Sequence, residues 1–286
     1  MSTLFDAGFR RVLHAVLRQA RALRGPGDAG ERARLRRMGV GGSFAGHRAY
    51  TAGEDLRLLD WNAFARSREL HVKVLEEEHR RALTILLDGS LSMAAGSPPR
   101  FDHARRLAAL IGVVALAQLD ALVLWVGKQR SDFGGSQDFE RLLTALDAAR
   151  PDGSRSDEPV EQFVRGPARG RVVWLSDFAD AAEFTRALRL LGPSRRRVLG
   201  LLPETSDDRS SSATGLIELD DVENGEAERL VVDDALRSAF AEELRLHARR
   251  VDAAFRAAGV ALLRQRAHEA NTAAQWTEGG WLEWLR

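Results

Sequence analysis

Residues 84–96 read TILLDGSLSMAAG. The apolar run Leu83–Leu87 stops at Asp88, and Ser90 and Ser92 follow at alternate positions. A short, unbroken apolar run that ends in a Gly-Ser turn is the pattern of a strand buried on both faces of a sheet. In open α/β sheets, ligands bind at the carboxyl ends of the strands. One carboxylate and two hydroxyls therefore stand where a ligand would sit.

Outward from this stretch, the chain alternates regularly. Strands are expected at 82–88, 121–127, 171–177, 197–203 and 260–265, with helices at 101–119, 138–149, 158–164, 181–191 and 233–258. A hairpin across 215–232 is expected to turn at Asn224-Gly225. Apolar strands alternating with helices predict an α/β fold: an open, mostly parallel sheet with helices on both faces. Upstream, residues 3–24 form an amphipathic pattern, with Phe5, Phe9, Val12, Leu13, Val16 and Leu17 on one face. Such a face packs on its own protein or, being flanked by arginines, on an anionic membrane surface. A polar connector and a segment rich in glycine and aromatics lead to the first strand. The expected division is 1–80, helix plus irregular segment, and 81–286, the sheet domain. The tail WTEGGWLEWLR holds three of the six tryptophans and is expected to dock.

Composition narrows the function classes. The chain has 286 residues, 44% hydrophobic and 29% charged, with a net charge of +1. No global field favours nucleic acid or membrane. There is no cysteine, which excludes disulfides, thiolate catalysis and cysteine-based metal sites. No apolar run approaches the ~20 residues of a membrane span, and the N-terminus lacks a signal-peptide pattern. A cytoplasmic location is expected.

A second strand, Val172–Leu175, ends in Ser176-Asp177, and the loop PDGSRSDEP (151–159) offers Ser154, Ser156 and Asp157. All are hard oxygen donors, a set that suits Mg²⁺ or Mn²⁺ better than zinc. Neutral hydroxyls leave much of the ion's charge uncompensated, so it can recruit a partner's carboxylate. The same residue types also serve as turn and N-cap residues. Enzyme readings find less support. An aspartyl phosphotransferase of the haloacid-dehalogenase type needs a second acid two residues after its nucleophile, where Ser90 stands. GVGGSFAGHR lacks the Lys-Ser/Thr ending of a phosphate loop. Asp132-Phe133-Gly134 stands without the rest of a kinase, and no G-x-S-x-G elbow occurs. The seven histidines are scattered, and none is assigned a catalytic role.

Asp88-x-Ser90-x-Ser92 with a later strand ending in Ser176-Asp177 resembles the metal-ion-dependent adhesion site of von Willebrand factor A domains. The segment YTAGEDLRLLDWNAFARSRELHVKVLEEEHRRALTILLDGSLSM (50–93) closely resembles the signature of the bacterial "domain of unknown function 58" family. The matching positions include Tyr50, Gly53, Asp55, Arg57, Asp60, Trp61 and Arg66, then Asp88, Ser90, Ser92 and Met93. The resemblance spans roughly residues 40–200. It implies a six-stranded von Willebrand A-like sheet and an ion held directly by Ser90 and Ser92, with Asp88 and Asp177 acting largely through waters. The usual threonine of the middle loop is replaced, with Ser156 the best match and Ser154 next. Members often carry N-terminal membrane helices; this chain resembles the short soluble form. Members are often encoded beside MoxR-type AAA+ ATPases, thought to assist assembly or activation of other proteins. The expected function is thus a non-enzymatic protein–protein interaction module with Mg²⁺ or Mn²⁺ at Asp88, Ser90, Ser92, Ser156 and Asp177. A Mg-dependent phosphohydrolase using Asp88 as nucleophile and a scaffold with a vacant metal site are the alternatives. In the upstream motif, Asp55, Arg57, Asp60 and Arg66 around Tyr50 and Trp61 are expected to lock an irregular loop, with an interaction surface as the alternative.

Overall fold

The computed structural model describes residues 4–22, 42–51, 59–77, 82–118, 121–166, 170–192, 197–205, 214–220, 227–267, 272–277 and 280–285. The chain divides into two compact units, one of residues 1–21 with 82–286 and one of residues 22–81.

The larger unit is built on β3 (Ala82–Leu87). This strand pairs in parallel with β4 (Ala121–Val126) on one side and β6 (Arg171–Leu175) on the other. Its unbroken apolar run fits that place, because a strand inside a covered parallel sheet is buried on both faces. β7 (Val198–Glu204) and β10 (Ala261–Arg266) continue the parallel sheet beyond β6. β5 (Gln129–Phe133) closes the other edge antiparallel to β4, giving the order β10-β7-β6-β3-β4-β5. The sheet is thus open, six-stranded and mostly parallel. β5 escapes a reading by apolar pattern because it is a polar edge strand; Gln129, Arg130 and Asp132 are exposed and only Phe133 is buried. The hairpin β8 (Gly215–Asp220) and β9 (Ala227–Val232) forms as expected, and its Asn224-Gly225 turn lies outside the described residues.

The pleat sends alternate side chains to opposite faces. One face, with Leu86, Val172 and Trp174, packs against Phe184 and Leu188 of α6 (Ala181–Leu190) and Val251 and Phe255 of α7 (Asp234–Ala258). Val160 and Phe163 of α5 (Glu158–Arg165) join the same cluster. The other face receives α3 (Arg100–Gln118), whose Gly112 lies where a Cβ would stand 2.6 Å from Leu142 and 3.1 Å from Leu122. α3 is buried nearly all round because it lies between the sheet and two further helices, α4 (Phe139–Ala148) and α1 (Ala7–Ala22).

α1 groups with this unit, residues 1–21 with 82–286. The physical reason is its apolar face. Phe5, Phe9, Val12, Leu13, Val16 and Leu17 are all buried, and Phe9 stands edge-on to Trp276 at 5.7 Å. Polar contacts fix the helix in place: Arg106 Nε donates to Leu4 O (3.1 Å) and Arg10 pairs with Glu140 (2.8 Å). The tryptophan-rich tail docks as expected. Its short helices α8 (Ala273–Thr277) and α9 (Trp281–Trp284) bury Trp276 and Trp281, and Arg171 donates to Trp284 O (2.6 Å).

The smaller unit pairs β1 (Gly42–Ala49) antiparallel with β2 (His71–Glu77), with α2 (Trp61–Ser67) between them in the chain. Asp60 is buried and its Oδ1 accepts the Ala63 N–H at 3.1 Å, so it acts as the cap of α2. Trp61 is 62% exposed and meets only the edge of Phe64 among the described rings. The expected lock by opposite charges falls mainly on side chains outside the described residues, Arg66 among them. Asp55 and Arg57 lie outside the described residues.

Candidate metal centre

The chain passes from β3 to β4 on one side and later returns to β6 on the other, so the sheet order reverses between β3 and β6. The helices after these two strands lie on opposite faces. A crevice opens at such a switch point, outside the carboxyl ends of the strands. Asp88 stands in its floor. The Asp88 N–H donates to Leu175 O (2.9 Å), its Oδ1 accepts the Ser90 N–H (2.8 Å), and its Oδ2 accepts the Ser176 hydroxyl (2.6 Å). The side chain is fully buried. Burial, together with the nearby charge of Asp177, pushes its carboxyl up to about 7, partly offset by the hydrogen bonds from Ser176 and Ser90.

Ser90 and Ser92 face one cleft together, and their hydroxyl oxygens lie 3.0 Å apart. A single turn of 3₁₀ helix, Leu91–Ala94, holds Ser92 in place by burying Met93. Asp177 reaches the same cleft from the end of β6. Its placement rests on Phe178, which takes a left-handed φ of 53°. That conformation costs a side-chain-bearing residue about 1–2 kcal/mol. Complete burial of the Phe178 ring against Trp174 and Phe255, at 4.8 and 4.9 Å, holds it there.

The loop 151–157 forms the third wall. It docks on two glycines: Asp152 N and Gly153 N donate to Gly89 O at 2.9 and 3.0 Å. A Cβ at Gly89 would lie 2.5 Å from Asp152 Oδ1 and 2.7 Å from Ser154 Oγ, and one at Gly127 would lie as close to the same two side chains. The two serines of this loop differ. Ser156 N–H and Oγ both donate to Glu183 Oε2, at 2.8 and 2.9 Å. The Ser154 hydroxyl is buried and makes no hydrogen bond among the described residues. The adjacent Asp157 is fully buried between Arg155 and Arg186, with contacts of 3.0 and 2.5 Å, and anchors the loop.

Ser90, Ser92, Ser154, Ser156, Asp177 and Glu183 thus line one open cleft of about 430 Å³, with Asp88 beneath Ser90. Of the five expected site residues, Ser90, Ser92, Ser156 and Asp177 line this cleft, and Asp88 is fully buried and bonded to the Ser90 N–H. Ser176, Glu183 and the glycine seats were not identified as site residues from the sequence. Ser176 alone had a local signal, since it precedes Asp177 at a strand end. Glu183 reads as part of an ordinary helix start: Asp180 caps α6 by accepting the Ala182 and Glu183 N–H groups.

The donors fit a hard divalent cation. Hydroxyls and carboxylates converge, one buried hydroxyl lacks a partner, and a cation above Asp88 would favour its ionised form. Among the described residues no group of three or more His, Cys, Asp or Glu side chains is placed to bind a metal.

Fold and cleft define an open-sheet α/β protein with an oxygen-donor site at its topological switch point. The chain belongs to the family described as "Protein of unknown function DUF58", whose model matches residues 46–250. It is 28% identical over 228 residues to uncharacterized proteins of Mycobacterium bovis and Mycobacterium tuberculosis, an overlap of 76% of this chain and 72% of each relative. Similar solved structures include the conserved hypothetical protein BatB from Bacteroides thetaiotaomicron, at 14% identity and a TM-score of 0.38. An aerotolerance-related membrane protein from Bacteroides fragilis gives 15% and 0.39. Each covers 71% of this chain and 98% of its own. Similarity this low carries nothing about the site. Among the described residues no helix is long and apolar enough to cross a membrane.

Proposed function

We propose that the protein is a non-enzymatic interaction module with a von Willebrand factor A-like domain, which binds a partner's carboxylate through a divalent cation. Ser90, Ser92 and Asp177 would hold Mg²⁺ or Mn²⁺, with Asp88 behind them and Ser154 supplying the third hydroxyl. Ser156 is the weaker candidate because its hydroxyl already serves Glu183. The observation that carries the reading is the convergence of three chain segments on one cleft with an unpaired buried hydroxyl. When bound, the ion supplies an electrophilic position for an anionic ligand; hydroxyl donors leave it strongly positive. The protein's own residues orient the donors and keep the floor dry.

A phosphohydrolase with Asp88 as nucleophile fits less well. Both carboxylate oxygens of Asp88 accept hydrogen bonds and the side chain has no exposed surface for in-line attack. The partner is proposed to be an acidic segment of a client protein, handled together with a MoxR-type AAA+ ATPase, in the cytoplasm; the ATPase rests on the family resemblance alone.

Thermal unfolding with and without Mg²⁺ or Mn²⁺ tests the centre. A ligand that binds only the folded state stabilises it by about 2.7 kcal/mol at a hundredfold excess over Kd. Wild type is expected to gain stability with either ion, while Ser90→Ala with Asp177→Ala gains none. No gain in wild type up to several millimolar ion would overturn the metal reading and favour the scaffold with a vacant site.

A further inference from the structure

A second cleft, of about 310 Å³, adjoins the candidate metal centre and shares Ser92, Asp177 and Ala179 with it. Its far wall is one face of α7: Leu244, His247, Ala248 and Val251 follow the i, i+3, i+4, i+7 spacing that puts side chains on a single stripe. Leu202 near the end of β7 and Ala95 after β3 join Leu244, Ala248 and Val251 as the apolar part of the lining, and polar and charged side chains form the rest. The volume equals about ten waters, enough for one large aliphatic side chain and its flanking backbone.

Charge decides what can lie across both clefts. The acids lining the second one are Asp177, which belongs to the metal centre, and Glu204. Glu204 is neutralised by Arg264 at 3.3 Å and Arg266 at 3.8 Å. Arg264 also meets Asp252 at 2.7 Å, so this wall is a balanced ion cluster. Arg100 and His247 bring further donors to the lining. An acidic segment crossing this surface meets no uncompensated negative charge beyond the metal centre itself.

Resting on the metal-centre reading, we infer that the partner segment carries its metal-binding Asp or Glu beside an aliphatic residue, and that this neighbour fills the second cleft between α7 and the ends of β7 and β10. The ion supplies attachment to any exposed carboxylate. The apolar cleft supplies selectivity, because it stabilises only a segment with a Leu, Ile, Val or Met next to the acid. Burying such a side chain is worth on the order of 10- to 100-fold in affinity.

The test is selection of random linear heptapeptides on the intact protein in Mg²⁺, with elution by chelator. Enriched peptides are expected to pair an Asp or Glu with an adjacent aliphatic residue. Replacing that aliphatic by Ser in a synthetic peptide is expected to weaken binding at least about tenfold. Ala248→Trp, which fills the cleft, and Leu244→Gln, which makes its wall polar, are each expected to retain Mg²⁺-dependent carboxylate binding and lose the aliphatic preference. Carboxylate peptides enriched with no apolar neighbour, or a preference unchanged in both variants, overturn this inference and leave the metal contact standing. Failure to enrich any chelator-sensitive peptide overturns both.

Discussion

Asp88 is the residue on which the site turns, and its burial has a measurable consequence. Its carboxyl is pushed up to about 7 in the folded protein, against about 3.9 when unfolded. The folded state therefore holds this proton more tightly than the unfolded chain. The stability linked to it is fully present below pH 4 and is lost as pH rises through about 7. In chelator, wild type is expected to lose more stability between pH 5 and pH 8 than Asp88→Asn, as read from denaturant midpoints. Equal slopes for the two proteins would sink this account. The glycine seats make a second prediction. Gly89→Ala drives a Cβ to within 3.0 Å of the Gly127 backbone and against Asp152 and Ser154. A loss of about 1–3 kcal/mol is expected, with a weakened response to Mg²⁺, measured by urea unfolding with and without the ion. The alternation at 88, 90 and 92 was legible because it is local. Glu183's hold on Ser156 was not, since a contact across 27 residues leaves no local pattern.

At the scale of elements, the strand ends and the N-terminus of α6 act as one frame. Asp180 holds the first turn of α6, which frees Glu183 to reach the 151–157 loop instead of its own helix. Glu183→Ala is expected to cost about 1–3 kcal/mol by leaving the Ser156 donors without their acceptor. It should also speed hydrogen exchange at the Ser156 amide, whereas Glu183→Gln keeps an acceptor oxygen and shows a smaller effect. An exchange rate at Ser156 unchanged in Glu183→Ala would show that the loop is held by Asp157 and its arginines alone. Most elements were readable from apolar spacing, and their observed ends fall within a residue or two of those expected. β5 and β1 were not, because one is polar at a sheet edge and the other is rich in glycine; neither has an apolar alternation to read.

For the whole molecule, the N-terminal helix is part of the sheet unit's core and not an appendage. Its apolar stripe fitted either a protein or a lipid surface, and burial of Phe9 and Val16 at 0% exposure accounts for it within the protein. Phe9→Ala is expected to cost about 3–5 kcal/mol and to shift tryptophan emission, since Trp276 loses its edge-on neighbour. An unchanged midpoint would mean that the helix contributes little to the larger unit. The sequence by itself determined the alternating strands and helices, the oxygen-donor chemistry at two strand ends and the absence of cysteine chemistry. Those properties follow from spacing and composition, which are local. Only the tertiary structure decided the strand order that sets Asp88 beside Ser176, 88 residues away. It also decided which serine of the middle loop is left unpaired and that α1 belongs to the sheet unit. These outcomes depend on which surfaces bury one another, and no single segment carries that information.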